Sequence, residues 1–231
     1  MKKNGLLNLT VLSLGFLLLL VPATNSAIVE DAHGTANAST ASVTVADNSN
    51  RILVATWAAG NWNDSNACTY NSVSMTIDAE QQSSYDDFGV SSLVAPDTGT
   101  HTLACGDTSE ENGITWVVVY NAEQSNAEGI NTCYISAGGS FTCTPVTVSS
   151  GSMLVGGYKH DRDSGASVAA GAGLTILSSG EATSHSAYGI GATVFSMSGI
   201  SSNGPKRQAA ASYKEAGAPP AGRTRRMFVS Q

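Results

Sequence analysis

The stretch SSLVAPDTGTHTLAC, residues 91–105, decides how the rest of the chain is read. An apolar pair, Leu93 and Val94, runs into Ala95-Pro96-Asp97-Thr98-Gly99 and then into a segment that alternates up to a cysteine. Pro96 presets the backbone for a turn, Asp97 offers a carboxylate to nearby amides, and Gly99 accepts a positive φ. The chain therefore reverses between two extended segments. In the second, side chains alternate between faces, so Leu103 and Cys105 share one side and Thr102 and Ala104 the other. Cys105 points where Leu103 points, into a core.

The same punctuation recurs outward from this point. Short segments rich in Val, Ile, Thr and aromatics stand between clusters of Gly, Asn, Asp and Ser, among them RILVATWAA (51–59), ITWVVVYNA (114–122), SMLVGGY (152–158) and RQAAASYKEA (207–216). No amphipathic helix interrupts them. The pattern predicts an all-β protein, an antiparallel two-sheet β-sandwich or barrel. No internal repeat at a fixed period is visible, which disfavours a solenoid.

The N-terminus reads as an export signal. Lys2 and Lys3 precede an apolar run from Leu9 to Val21, which Pro22 breaks before small residues lead to Ala27. The run is short for a spanning helix, which needs about 20 residues. Residues 1–26 are thus expected to be a helical signal peptide cut near Ser26 or Ala27. IVEDAHGTANAST (28–40) is polar, small and aperiodic, so residues 27–40 read as a flexible lead-in. Residues 41–231 are expected to form a single β-sandwich domain. The mature chain has no further apolar segment long enough to span a bilayer and is expected outside the cytoplasm, secreted or at the cell surface, the periplasm included.

Charged residues make up 13% of the chain and the net charge is −7, which excludes nucleic acid as the partner, since phosphate binding needs clustered Lys and Arg. The single basic cluster, RTRRMF (223–228), lies at the extreme C-terminus and reads as a solvated terminal segment. Four cysteines in an exported chain are expected to oxidise, with three connectivities open. A hairpin centred on Gly138 would set Cys133 opposite Cys143 on one face, and Cys68–Cys105 follows by remainder. No Cys-x-x-Cys pair exists to support a zinc site.

These segments resemble a family of exported bacterial β-sandwich domains of the concanavalin or LamG-like jelly-roll type. NSNRILVAT (48–56) looks like its first core strand and CTYNSVSMT (68–76) like its tyrosine hairpin, with Asn71-Ser72 where the family has Gly-Gly. SLVAPDTGTHTLAC is similar to its Pro-turn segment, and SGSMLVGGY and AAASYKEAGA to two later strands. The resemblance spans roughly residues 40–217. It implies a surface-associated module, often linked to glycan binding or adhesion, and most members have no established activity.

Catalytic signatures are thin. A glycosidase on such a fold uses two carboxylates at a set separation. Asp78 and Glu80 in TIDAEQQ (76–82) are the nearest approach, without a third acid, and read as solvated residues at a strand end. There is no Gly-x-Ser-x-Gly elbow. In YKHDRDSG (158–165), Asp161 and Asp163 partly resemble a calcium loop. Calcium takes about 6–8 oxygens, more than this loop supplies, and Lys159 and Arg162 lower the local negative field. A turn with internal ion pairs, and no cofactor, is the expectation.

Sugar binding relies on exposed rings that stack on apolar sugar faces. Trp62, Asn63 and Asp64, with Tyr85 and Asp86, have the composition of a polar ligand rim. The expected function is non-enzymatic binding or adhesion at the cell exterior, with an extracellular glycan or a surface protein as partner. Two alternatives stand beside it. One is a glycoside hydrolase or lyase; the other is a filament subunit assembled by adding residues 27–46 to a neighbour's sheet edge.

Overall fold

The computed structural model describes residues 27–59, 67–82, 87–106, 113–135, 139–141, 146–148, 151–160, 167–178, 184–192, 194–195, 197–201 and 206–217. Strands are the regular structure of these residues, and no helix occurs among them. Every strand pairing is antiparallel.

A first inner sheet holds β1 (Val29–Ala36), β3 (Ile52–Ala59), β6 (Thr76–Gln81), β7 (Asp87–Val94) and β9 (Gly113–Tyr120) in the order β1-β9-β3-β7-β6. Its outer companion holds β2 (Thr40–Val45), β4 (Thr69–Tyr70), β5 (Val73–Ser74) and β8 (Gly99–Ala104) in the order β2-β8-β4-β5. A second inner sheet takes β10 (Gly129–Ile135), β13 (Met153–His160), β15 (Thr175–Ser178), β16 (Ser184–Ile190) and β19 (Lys206–Tyr213) in the order β10-β19-β13-β16-β15. Outside it lie β11 (Gly139–Phe141), β18 (Met197–Ser201) and β14 (Ser167–Ala170) as one small sheet, and β12 (Val146–Thr147) with β17 (Val194–Phe195) as another.

Among the described residues, three apolar clusters hold this stack together. Between the inner sheets, Ile52, Val54, Val117 and Val119 meet Met153, Val155, Ala211 and Tyr213. On the other face of the first inner sheet, Leu53, Trp57 and Val118 pack on Tyr70, Leu103, Cys68 and Cys105. On the far face of the second, Leu154, Tyr158 and Ala210 pack on Ala192 and Phe195. A two-sheet sandwich is expected from the strand pattern; the described residues stack in more layers than that. The cause is visible in β3 and β19, which are buried at every position because both of their faces are covered. Strands buried on both faces lose strict alternation and read as continuous apolar or small runs.

The turn at residues 95–98 carries the chain from an inner strand, β7, to an outer one, β8. Gly99 has φ +99° and Ala95 φ +49°. Ala95 N–H donates to the Arg51 carbonyl at 3.0 Å, and Arg51 Nε donates to the Pro96 carbonyl at 2.7 Å. Cys105 does follow Leu103 inward; both are buried in the outer core. Asn71 and Ser72 close the β4–β5 hairpin with φ +49° and +65°, the left-handed pair that a type I′ turn requires.

The stretch read as a flexible lead-in is strand β1, paired with β9 from Val29↔Tyr120 to Ala36↔Ile114. Its small residues answer a packing demand: a Cβ on Gly34 would stand 2.2 Å from the Trp116 ring. Edge position and a register shift between Glu30 and Ala32 erase the alternation. Residues 1–26, expected to form the signal peptide, and the basic segment 223–228 lie outside the described residues.

Candidate functional site

One end of the stack gathers polar and charged side chains. β3 ends there at Ala59, paired with Asp87 at the start of β7, and Ala58 faces Gly113 at the start of β9. In the second inner sheet Lys159 of β13 faces Ser184 and Arg207, and His160 faces Lys206. Lys159 Nζ reaches across and donates to the Ala59 carbonyl at 3.0 Å, so both inner sheets close at this end. Asp87, Lys159, Ser184, Lys206 and Arg207 are all buried. Charges taken out of water need compensation from hydrogen bonds or opposite charges.

Glu80 belongs to the same end through its pairing with Gly89. Burial, reinforced by the neighbouring Asp87 carboxylate, holds its carboxyl above the ordinary value. Its Oε1 is buried and has no hydrogen-bond partner among the described residues. Behind the charged end runs a hydroxyl ladder within the inner core: Thr56 Oγ1 lies 2.6 Å from Thr115 Oγ1, which donates to Ser186 Oγ at 2.8 Å.

Two further carboxylates pin one inner sheet to the other. Tyr213 O–H donates to Asp78 Oδ2 at 2.6 Å, and Ala127 N–H donates to Asp78 Oδ1 at 3.3 Å. Asp78 is therefore a tie between layers, set at a register shift of β6, and differs from the solvated strand-end residue expected. Burial, then the Asp78 carboxylate, pushes the Tyr213 hydroxyl well above its ordinary range. Tyr188 O–H donates to Glu30 Oε2, while His33 Nδ1 lies 2.6 Å from Glu30 Oε1. Burial alone would raise Glu30; the hydrogen bonds from Tyr188 and His33 outweigh it and hold the group below 4.5.

Cys68 and Cys105 form a disulfide, closing the same end of the outer core. Cys133 is also disulfide-bonded, and Cys143 lies outside the described residues. Of the expected ligand rim, Trp62, Asn63, Asp64, Tyr85 and Asp86 all lie outside the described residues, as do Asp161 and Asp163. Their described neighbours are nevertheless close together. Residues 60–66 follow Ala59 and residues 83–86 precede Asp87, its direct partner; residues 161–166 follow His160, beside the Lys159 that binds Ala59. The sequence pattern puts Lys159 in a turn with ion pairs; in the structure β13 extends through His160 and carries Lys159 into the core.

Sequence reasoning missed Lys159, Asp87, Lys206 and Arg207 as members of this end. A lysine after the small-and-apolar run MLVGGY was the one available signal, because a cation at the end of a buried strand must find a partner. Residues 27–46, which the filament alternative would add to a neighbour's sheet edge, contain β1 and β2, which pair with β9 and β8 within the chain. Among the described residues no group of three or more His, Cys, Asp and Glu is arranged to hold a metal, and no helix is long and apolar enough to cross a membrane. No family model matches the chain, and comparison with curated proteins and with solved structures yields no match.

Proposed function

We propose that the protein is an exported β-sandwich binding module of the concanavalin or LamG-like jelly-roll type, engaging a glycan or a surface protein through the charged end of the stack. The observation that carries this reading is the register Ala59↔Asp87. It makes the segment bearing Trp62, Asn63 and Asp64 issue from a residue facing the one at which the segment bearing Tyr85 and Asp86 returns. Two pieces of sequence chosen for ligand-like composition thus attach to one strand pair. The Cys68–Cys105 disulfide supports an oxidising compartment. A glycan array probed with residues 27–231 and with the Trp62→Ala and Tyr85→Ala variants tests the reading. Binding to a defined glycan class that falls at least tenfold in both variants is expected. Equal signal from all three proteins contradicts it.

Glu80 favours a second reading, glycoside hydrolysis. A carboxyl whose proton affinity is raised by burial beside a second carboxylate, here Asp87, is shifted in the direction a general acid needs. Release of reducing sugar from a polysaccharide panel, abolished by Glu80→Gln, would select this reading over simple binding.

A further inference from the structure

The two inner sheets have the same strand order once each is read in chain sequence. β1-β9-β3-β7-β6 and β10-β19-β13-β16-β15 both place the opening strand at one edge, the closing strand next, and then the strands that follow one another in the same succession. The outer layers match too: β2-β8-β4 corresponds to β11-β18-β14, with β12-β17 as a further piece of the same pairing.

Register extends the match to single residues. Ile52 of β3 pairs with Val94 and Val119, and Met153 of β13 pairs with Ile190 and Tyr213. Two residues before each central strand stands a positive φ, Asn50 at +54° and Gly151 at +95°. One residue after each neighbouring strand stands another, Ala95 at +49° and Gly191 at +74°. The hydrogen bond between these places is repeated: Ala95 N–H to Arg51 O at 3.0 Å, and Gly191 N–H to Ser152 O at 2.9 Å. Short sequence echoes survive at equivalent positions, Ile52-Leu53-Val54 with Met153-Leu154-Val155, and Met75-Thr76-Ile77 with Leu174-Thr175-Ile176.

The contact between the halves is self-complementary. Val54 and its equivalent Val155 both enter the shared core, while Leu53 and Leu154 each face the half's own outer core. β3 and β13 finish at the same end, so the relating axis runs along the strands. At the opposite end the segments after β9 and β19 pair with each other, through an antiparallel bridge Ala122↔Glu215. Glu123 N–H donates to Lys214 O, and Ala216 N–H to Asn121 O, both at 2.8 Å, a reciprocal pattern of the kind a two-fold axis produces.

We infer that the chain is a pseudo-dimer within one polypeptide: the described residues within 28–122 and within 128–216 are two copies of one fold, and the inner sheet face of each is an interface whose fitting partner is a second copy of itself. Equal faces meeting across an axis form an isologous contact, the kind that closes on itself and leaves no edge for further growth. Each copy retains a private outer core that does not depend on the other.

Matched variants in residues 27–231 test this by hydrogen exchange read with mass spectrometry. Leu53→Ala is expected to speed exchange at least tenfold in the sheets of the first copy and under twofold in the second; Leu154→Ala does the reverse. Val54→Ala and Val155→Ala, at the shared face, loosen both copies. Equal acceleration of both copies by either leucine variant overturns the inference. A circular permutant, residues 124–231 followed directly by 27–123, covers the case in which an alanine variant fails to fold. Asn121 Nδ2 already donates to the Ala27 carbonyl, and Ala216 N–H donates to the Asn121 carbonyl, so Ala216 and Ala27 flank the same residue, and residues 217–231 serve as the linker between them in the permutant. With interchangeable copies the permutant folds to the same circular-dichroism spectrum; an unfolded permutant contradicts the proposal.

Discussion

Trp57 in the first inner sheet and Tyr158 in the second hold the same place in their strands, yet their surroundings have parted. Trp57 is 1% exposed, lies against Gly89 of the adjacent strand, and donates Nε1–H to Ser91 Oγ at 3.1 Å. On its other side the register continues to Ile114. Tyr158 is flanked instead by His185, ring centroids 5.4 Å apart, and by Gln208. Burial pushes its hydroxyl far above the ordinary tyrosine range. One copy fills this row with a large indole made possible by a glycine; the other fills it with polar groups. A shared backbone scaffold tolerates either solution provided each row is packed and its polar atoms are placed. That freedom lets the two copies share turns and pairings while differing in sequence.

The sharpest way to break the comparison is to truncate both residues. Trp57→Ala removes a ring from a closed core and is expected to cost about 3–5 kcal/mol, measured by urea unfolding. Tyr158→Phe keeps the ring and removes one hydroxyl, with an expected change within about 1.5 kcal/mol. Equal losses would mean that the two rows are held by the same forces. A middle-sized effect comes from the glycine. A Cβ at Gly89 would sit 2.3 Å from the Trp57 ring, so Gly89→Ala is expected to destabilise by about 1–3 kcal/mol through overpacking. The double variant Gly89→Ala/Trp57→Phe should recover part of that loss. Additive losses from the two changes would place the strain elsewhere.

The smallest expected effect concerns pH and contrasts two glutamates. Glu30 has its folded value below 4.5, so its stabilising contribution is present above that pH and is lost as pH falls through the folded value. Glu80 has its folded value raised by burial, so its charged form is disfavoured in the folded chain. Its penalty is relieved as pH falls through that raised value, and the sign is opposite. Glu30→Gln should therefore flatten the acid limb of the stability curve, and Glu80→Gln should raise stability near neutral pH. Melting temperatures from pH 3 to pH 7 give both readings; identical shifts in the two variants would contradict the assignment.

Much of the fold is legible where local chemistry is decisive. Pro96, Asp97 and Gly99 mark a turn in any context, and alternation through Leu103 to Cys105 orients the disulfide. β1 was not legible because its small residues reflect the Trp116 ring over Gly34, a contact made across more than eighty positions of chain. Layer number escaped for a related reason: RILVATWAA announces a buried strand but not how many sheets cover it. The charged end depends on the pairing Ala59↔Asp87 and the reach of Lys159, both long-range. Composition pointed to the segments around Trp62 and Tyr85; only register shows that they attach side by side.

The central claim is that the two inner sheets meet face to face as equivalent partners. Phe88 of the first copy lies against Gly157 of the second, where a Cβ would stand 2.6 Å from the ring tip. A nuclear Overhauser experiment on the folded chain with labelled phenylalanine and glycine tests that contact directly. A strong cross-peak between the Phe88 ring and the Gly157 α-protons is the predicted result. Its absence, with Gly157 showing cross-peaks only within its own sheet, would contradict the docking of the two copies.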